Sequence, residues 1–142
     1  MIALACDHGG YPLKCHVINY LEEKGIAYKD YGCYNTDSCD YPDFGRKAAE
    51  AVASGECEQG VVICTTGIGI SIVANKVKGV RCALCADVYS AKMTREHNNA
   101  NMLAMGAGIV GPNLGLEILE TFLNTPFSGL EKHARRNAKI EG

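Results

Sequence analysis

The sequence predicts an α/β fold with an open, doubly wound parallel sheet of five strands. Short apolar runs alternate with segments of helical periodicity along the whole chain, which is typical of parallel βαβ units with helices on both faces of the sheet. A length of 142 residues, of which 47% are hydrophobic, suits one core. The chain also lacks repeats and Gly/Ser-rich linkers, so we expect residues 1–142 to form a single domain.

The strands and helices follow from these runs in order. Five runs have strand length and composition, covering residues 2–6, 26–32, 60–64, 80–85 and 101–106. The segments between them are predicted helices. Leu13, Val17 and Leu21 recur on one face of the first helix, and Pro42 and Pro112 each open a later one. The predicted helices cover 11–24, a segment from 42 onward, 69–77, 87–97, 112–123 and 128–140.

Charge and hydropathy exclude several classes of partner. The net charge is -2, so no basic surface for nucleic acid is predicted. No apolar run reaches the roughly 20 residues of a membrane span, and the start MIALAC lacks the basic and long apolar regions of a signal peptide. We therefore expect a cytoplasmic protein that binds neither nucleic acid nor a membrane.

Eight cysteines are many for this length, and without a secretion signal we expect reduced thiols. Cys82 and Cys85 form C-x-x-C, but residues three apart on a strand face opposite sides. No second ligand pair at zinc-like spacing accompanies them, so we expect no metal. Cys33 and Cys39, in a polar loop, are expected at the surface.

In open α/β sheets, ligands bind at the carboxyl ends of the strands. The loops at those ends read DHGG, TTGIG, ADVYS and GAG. In the first loop, Asp7 and His8 precede two glycines and could bind a polyol or a phosphate. Alternatively, Asp7 caps the helix that follows, since Asp is a preferred N-cap. Both interpretations can hold together.

The second loop places Cys64 at the end of an apolar strand, before Gly67 and Gly69 and a helix start. Such a turn gathers backbone amides and the positive end of the helix at one point, and this environment activates a thiol. Ile72 occupies the third glycine position of a dinucleotide fingerprint, and no P-loop signature follows. The pattern favours proton abstraction next to a carbonyl, with the amides holding an enediolate. The alternative is that Cys64 is only the last core residue of its strand.

Two further groups could serve this chemistry. His97, followed by Asn98, can transfer a proton near neutral pH, or it can simply complement a helix end. Lys132 and Arg136 are four residues apart on one helix face and could hold a phosphate. A solvated basic face is the alternative for these two cations.

Motifs along nearly the whole chain, from 1 to 140, resemble those of the type B ribose-5-phosphate isomerases. This group includes galactose-6-phosphate isomerase subunits and allose-phosphate isomerases. The motifs are ACDHGGYPLK, DYPDFG, GVVICTTGIGISIVANKVKGVRCAL, YSAKMTREHNNANMLAMGA and KHARR. The resemblance implies a Rossmann-like three-layer αβα sandwich. It also implies a homodimer or tetramer whose active sites are shared across the subunit interface.

The resemblance implies cofactor-free isomerisation of ribose 5-phosphate to ribulose 5-phosphate through an enediolate. Isomerisation of a six-carbon sugar phosphate, such as allose or galactose 6-phosphate, and a non-catalytic sugar-phosphate-binding subunit remain alternatives. By position, the implied catalytic residues are the base Cys64, the orienting Thr66 and the ring-opening His97 of the partner. The implied substrate-binding residues are Asp7, His8, Thr65, Gly67, Ile68, Gly69, Asn98, Lys132 and Arg136.

Three positions depart from the family pattern. Thr65 replaces a glycine, and Gly108 and Lys132 replace two phosphate-binding arginines. Lysine keeps the charge but loses the bidentate geometry of a guanidinium. A charge-assisted hydrogen bond contributes roughly 1.5–3 kcal/mol, so we expect the loss at Gly108 to weaken phosphate binding about tenfold or more.

Overall fold

The computed structural model describes all residues 1–142 and contains one five-stranded sheet in which every pairing is parallel. The strand order is β2-β1-β3-β5-β4. The strands are β1 (Ile2–Cys6), β2 (Tyr28–Asp30), β3 (Gln59–Cys64), β4 (Cys82–Leu84) and β5 (Met102–Gly106). This arrangement confirms the predicted α/β class with a five-stranded parallel sheet.

Six helices connect and follow the strands. They are α1 (Tyr11–Glu23), α2 (Tyr41–Ala53), α3 (Ile68–Asn75), α4 (Val88–Asn98), α5 (Ala107–Asn124) and α6 (Glu131–Glu141). No helix is long and apolar enough to span a membrane. No cluster of three or more His, Cys, Asp or Glu side chains could hold a metal ion.

The sheet has a hydrophobic core on each face. Leu13 of α1 and Phe122 of α5 pack on one face with Ile63. Ala48 of α2 and Ile70 of α3 pack on the other face, next to the cysteine that ends β3. Consecutive strand residues point to opposite faces, and burial of both faces explains why the strands are continuous apolar runs. The result is the three-layer αβα sandwich.

Several predicted boundaries shift. The edge strands β2 and β4 are only three residues long, although the amide of Tyr31 still donates to the Leu4 carbonyl and that of Cys85 to the Ala104 carbonyl. Short edge strands limit the unpaired edge of a sheet. Helix α5 begins at Ala107 rather than at Pro112, and it is broken at Gly111, where φ is 68° and ψ is 177°. Pro112 therefore starts the second segment of α5, since proline is compatible with a first turn.

The positions of the cysteines confirm one prediction and contradict another. Cys82 packs against the α2–α3 face of the sheet and Cys85 lies in the core on the opposite face. The prediction that Cys33 lies at the surface is wrong, because its side chain is buried and its Sγ lies 3.9 Å from Sγ of Cys6. Its loop continues the line of β2, and the Cys33 amide donates to the carbonyl of Cys6.

Candidate active site

The carboxyl ends of the three central strands meet at one edge of the sheet. Cys64 pairs with Gly106 at the ends of β3 and β5, and Cys6 pairs with Ile63 one residue earlier. The loops that follow therefore begin side by side. This edge brings together the predicted residues Asp7, His8, Thr65, Thr66, Gly67, Ile68 and Gly69.

The buried thiol of Cys64 receives a backbone hydrogen bond. The amide of Gly67 donates to Cys64 Sγ at 3.1 Å, and an N–H donor complements a negatively charged sulfur. Gly67 has φ of 77°, and a Cβ there would lie 2.7 Å from the carbonyl carbon of Met105. Only glycine can adopt this backbone so close to β5, and this conformation directs the amide toward the thiol.

The turn after Cys64 also offers amides to a ligand. The amide of Ile68 donates to Thr66 Oγ1 at 3.2 Å, so this amide and that of Gly67 have acceptors within the loop. Gly69 and Ile70 lie in the first turn of α3, where amides have no intrahelical acceptor, and no side chain caps this helix. The helix N-terminus thus presents donors and partial positive charge beside the thiol.

Asp7 lies under the first loop, with 6% of its surface exposed. Its Oδ1 accepts a hydrogen bond from the Gly10 amide at 2.9 Å. The N-cap of α1 is Gly10, without a side-chain cap, so the alternative of Asp7 as N-cap is wrong. Asp7 instead closes the turn that precedes the helix, through Oδ1.

His8 is half-buried and contacts the loop between β2 and α2. The backbone amide of Cys39 donates to His8 Nδ1 at 3.3 Å, and Cys39 Sγ lies 3.8 Å from the same nitrogen. Asp7 and His8 thus stand side by side at the carboxyl edge, one held by its own turn and the other by a distant loop.

Thr65 is exposed and bridges two glycines. A Cβ on Gly9 would overlap Thr65 Oγ1, and the Gly108 amide donates to the Thr65 carbonyl at 2.9 Å. A Cβ on Gly108 would lie 3.1 Å from that carbonyl oxygen. A pocket of about 310 Å³ adjoins these residues, with His16 and Pro112 on its wall.

Tyr41, the first residue of α2, is a further residue of this site that the sequence did not predict. Its ring covers Gly69, since a Cβ there would lie 2.6 Å from Tyr41 Cζ and 2.8 Å from its hydroxyl oxygen. This hydroxyl therefore stands beside the first turn of α3. Tyr41 is part of the DYPDFG motif, but no local signal distinguished it, because the contact joins residues 28 positions apart.

The remaining predicted residues form a second group at the opposite end of the sheet. His97, Asn98, Lys132 and Arg136 line one pocket of about 520 Å³. Arg135 points elsewhere and pairs with Glu131 at 2.7 Å. The helical spacing of Lys132 and Arg136 therefore does place two cations in one pocket with the histidine.

His133 lines the same pocket and was missed as well. It is buried, its ring centroid lies 4.4 Å from that of His97, and Nδ1 is 2.8 Å from Ser128 Oγ. Burial, and then the positive neighbours His97, Lys132 and Arg136, lower the pKa of His133. The KHARR motif contained it, but only the packing of α6 on α4 brings the two rings together.

The two groups are far apart within one chain. The Asn98 carbonyl accepts from Arg81 Nε just before β4, and the Asn101 carbonyl accepts from the amide of Gly60 near the start of β3. The end of α4 therefore lies at the amino edge of the sheet. Cys64 is at the other end of β3, about 16 Å along the strand by its six residues.

Comparison with known proteins gives matches over nearly the whole chain. Residues 2–140 match the family described as Ribose/Galactose Isomerase. The putative sugar phosphate isomerase YwlF of Bacillus subtilis is 49% identical over 140 residues, covering 98% of this chain and 93% of that protein. The galactose-6-phosphate isomerase subunit LacB of Clostridium acetobutylicum is 44% identical over 140 residues, covering 99% and 79%.

The fold also matches that of a solved structure. The ribose-5-phosphate isomerase B of Clostridium thermocellum superposes with a TM-score of 0.96 at 51% identity, covering 99% of this chain and 94% of that one. The resemblance drawn from the motifs is thus confirmed in both sequence and fold. The chain belongs to the ribose/galactose isomerase family, and it is a sugar-phosphate isomerase.

Proposed function

We propose that this enzyme interconverts ribose 5-phosphate and ribulose 5-phosphate through an enediolate, with Cys64 as the base. The observation that carries the proposal is the Gly67 amide 3.1 Å from Cys64 Sγ, beside the uncapped first turn of α3. A thiolate stabilised by an amide, with further amides facing the same point, suits proton transfer next to a carbonyl. The 51% sequence identity to the ribose-5-phosphate isomerase B of Clostridium thermocellum supports the five-carbon substrate.

Each group at the carboxyl edge has a role in this reaction. Cys64 takes the proton from C2, and the C2–H electrons form the C1–C2 double bond while charge moves to the carbonyl oxygen. The amides of the 65–69 turn, with Gly69 foremost, hold that oxygen, and Thr66 orients the reacting centre. Cys64 then returns the proton to C1 while the O2 hydrogen moves to O1. No cofactor enters any of these steps.

The other groups bind and open the sugar. The carboxylate of Asp7 accepts hydrogen bonds from sugar hydroxyls, and His8 contacts the phosphate. His97 opens the furanose ring by proton transfer, with Asn98 beside it, and Lys132 and Arg136 attract the phosphate. These last four lie at the far end of the chain's own sheet. They must therefore come from a partner copy.

A shared site requires a dimer or a larger assembly, and an apolar surface beside the catalytic turn supports one. Ile68 and Ile72, one turn apart on α3, are 53% and 54% exposed, and Leu84 is 43% exposed. Leu84 Cδ1 lies 2.6 Å from the Cβ position of Gly67, so this surface borders the turn itself. Exposed apolar patches of this kind mark association sites.

We further propose one isomerase domain over residues 1–142, acting in the cytoplasm. The single sheet with helices packed on both faces supports the first part. The second part is supported by the chemistry, because a Cys64 base functions only as a reduced thiol, which the cytoplasm maintains.

A six-carbon sugar phosphate is the second candidate substrate. Gly108 leaves the wall of the 310 Å³ pocket without a side chain, and the 44% identity to LacB points the same way. The deciding experiment is a steady-state isomerase assay with ribose 5-phosphate, allose 6-phosphate, galactose 6-phosphate and free ribose. The highest kcat/KM with ribose 5-phosphate supports the proposal. A higher kcat/KM with a hexose phosphate would mean that the enzyme carries out the same reaction on the longer sugar. Binding without turnover of any of them indicates a non-catalytic subunit.

The base is tested by replacing Cys64 with alanine. We expect Cys64→Ala to lower kcat by at least about 10³-fold, since proton transfer from C2 loses its acceptor, while calorimetry still detects sugar-phosphate binding. Cys57→Ala is the matched control, because Cys57 is a buried thiol in the same core cluster and lies away from the catalytic turn. Full activity of Cys64→Ala would show that another group is the base.

A further inference from the structure

The contact between His8 and the β2–α2 loop has a chemical consequence of its own. A backbone amide only donates, so the Cys39 N–H at 3.3 Å requires a lone pair on His8 Nδ1. The thiol of Cys39, 3.8 Å from the same nitrogen, can donate weakly to it as well. A hydrogen on Nδ1 would face both donors. The compatible form is the neutral imidazole with its hydrogen on Nε2.

The loop that supplies this amide is anchored at its start. Lys14 is 1% exposed, and its ammonium group bonds Asp30 Oδ1 at 2.6 Å and the Cys33 carbonyl oxygen. The same Asp30 oxygen accepts from the Gly32 amide at 2.9 Å. A buried lysine needs such partners to remain charged, so β2, α1 and the first residues of the loop are held together.

The loop is also anchored at its end. The amide of Asp43 donates to the Asp40 carbonyl at 3.1 Å as α2 begins, and Tyr41 packs over Gly69. Cys39 therefore directly precedes Asp40, the N-cap residue of a fixed helix start. The direction of its amide is set by structure on both sides, and not by His8 alone.

We propose that the Cys39 backbone amide is a positioning group that holds His8 in the Nε2–H form, so that the imidazole presents a neutral hydrogen-bond donor at the carboxyl edge. The consequence for catalysis rests on the proposed function, in which His8 contacts the substrate phosphate. A neutral donor aimed at phosphate oxygens favours binding, whereas the opposite tautomer would present a lone pair to an anion.

Nitrogen-15 NMR of the imidazole rings tests the tautomer in the ligand-free protein at about pH 8, where histidine is mainly neutral. The chain has only four histidines, and the His8→Gln variant identifies the His8 signals. We expect long-range ¹H–¹⁵N spectra to show a protonated Nε2 and an unprotonated Nδ1 for His8. A protonated Nδ1 would overturn the proposal, whether or not the enzyme accepts any sugar phosphate.

Two substitutions at position 39 separate the amide from the side chain. Cys39→Pro removes the N–H, whereas Cys39→Ala keeps it and removes only the thiol. We expect Cys39→Pro to mix the two tautomers of His8 and to raise KM about two- to tenfold, the range of one lost hydrogen bond, with a smaller effect on kcat. Cys39→Ala should retain the Nε2–H signal and the KM of the parent.

An equal rise of KM in both variants would assign the effect to the thiol and contradict the proposal. If Cys39→Pro does not fold, the tautomer of the parent and of Cys39→Ala still decides the question. If His8 has the proposed tautomer but the enzyme turns over none of the sugar phosphates, the proposed function is wrong, whereas the positioning role of the amide stands.

Discussion

Gly10 shows how closely single residues at the site are constrained. A Cβ on Gly10 would lie 2.6 Å from the carbonyl carbon of Ile63 and 2.9 Å from its Cγ2. The φ of −91° is ordinary for any residue, so the constraint is purely steric. We expect Gly10→Ala to lower the free energy of unfolding by about 1–3 kcal/mol, the usual cost of overpacking, as measured by urea denaturation. The start of α1 would shift, and the turn that holds Asp7 with it.

Gly115→Ala is the matched control at the residue scale. Gly115 lies within α5, and the atom nearest to its Cβ position is a methyl of Leu13 at 3.2 Å, which can move slightly. Alanine is also the better helix former. A change in unfolding free energy near zero is expected for Gly115→Ala, and an equal loss in both variants would refute the steric explanation for Gly10.

At the scale of elements, helix α4 carries His97 at its end and depends on Asp87 at its start. Asp87 is the N-cap, and it accepts from the Ser90 amide at 2.6 Å and from Ser90 Oγ at 2.9 Å. These bonds lower the pKa of Asp87. A group with a lowered folded-state pKa stabilises the fold above its unfolded pKa of about 3.9, and the contribution is lost as the pH falls through the folded value.

We therefore expect Asp87→Ala to lower Tm by about 2–4 °C near neutral pH, and the difference from the parent to shrink below about pH 4. Thermal unfolding followed by circular dichroism between these conditions measures both effects. Asp87→Asn is the control, because asparagine caps as well as aspartate. A pH-independent loss in Asp87→Ala would show that packing, and not the ionised cap, accounts for the effect.

At the scale of the whole molecule, Cys64 and His97 lie at opposite ends of one sheet. If sites are shared in a dimer, Cys64→Ala and His97→Ala are each inactive alone but complement each other when mixed. Random exchange makes half of the dimers mixed, and each mixed dimer has one intact site of two, so about a quarter of parental activity is expected.

The mixture is co-refolded or co-expressed, and its kcat is measured per protomer, with sedimentation velocity to confirm that dimers have formed. A mixture of Cys64→Ala with Cys64→Ala/His97→Ala is the control and should stay inactive. An inactive mixture of the two single variants, with mixed dimers present, would exclude a site shared in this way.

Local chemistry explains why much of this protein follows from the sequence. Periodicity and the Pro and Gly positions predicted the elements, because apolar patterning and turn residues act over a few neighbours. The thiol ahead of Gly67 and Gly69 predicted the candidate catalytic turn, and a sequence can do so because strand end, turn and helix start are contiguous. The spacing of Lys132 and Arg136 likewise predicted that they share a face, and they line one pocket.

The contacts between segments that are distant in sequence were decided by the tertiary structure alone. The burial of Cys33, the cover of Gly69 by Tyr41 and the pairing of His97 with His133 each join residues at least 27 positions apart. Such contacts arise from the packing of helices and loops around the sheet, and no local pattern encodes them. The sequence by itself determined the fold class, the family and the turn that holds the thiol. The separation of His97 from Cys64 also follows from the sequence, since a helix between parallel strands runs back along the sheet. Only the packed chain placed Lys132 and Arg136 in one pocket with His97, because the contact of α6 with α4 joins segments that are distant in sequence.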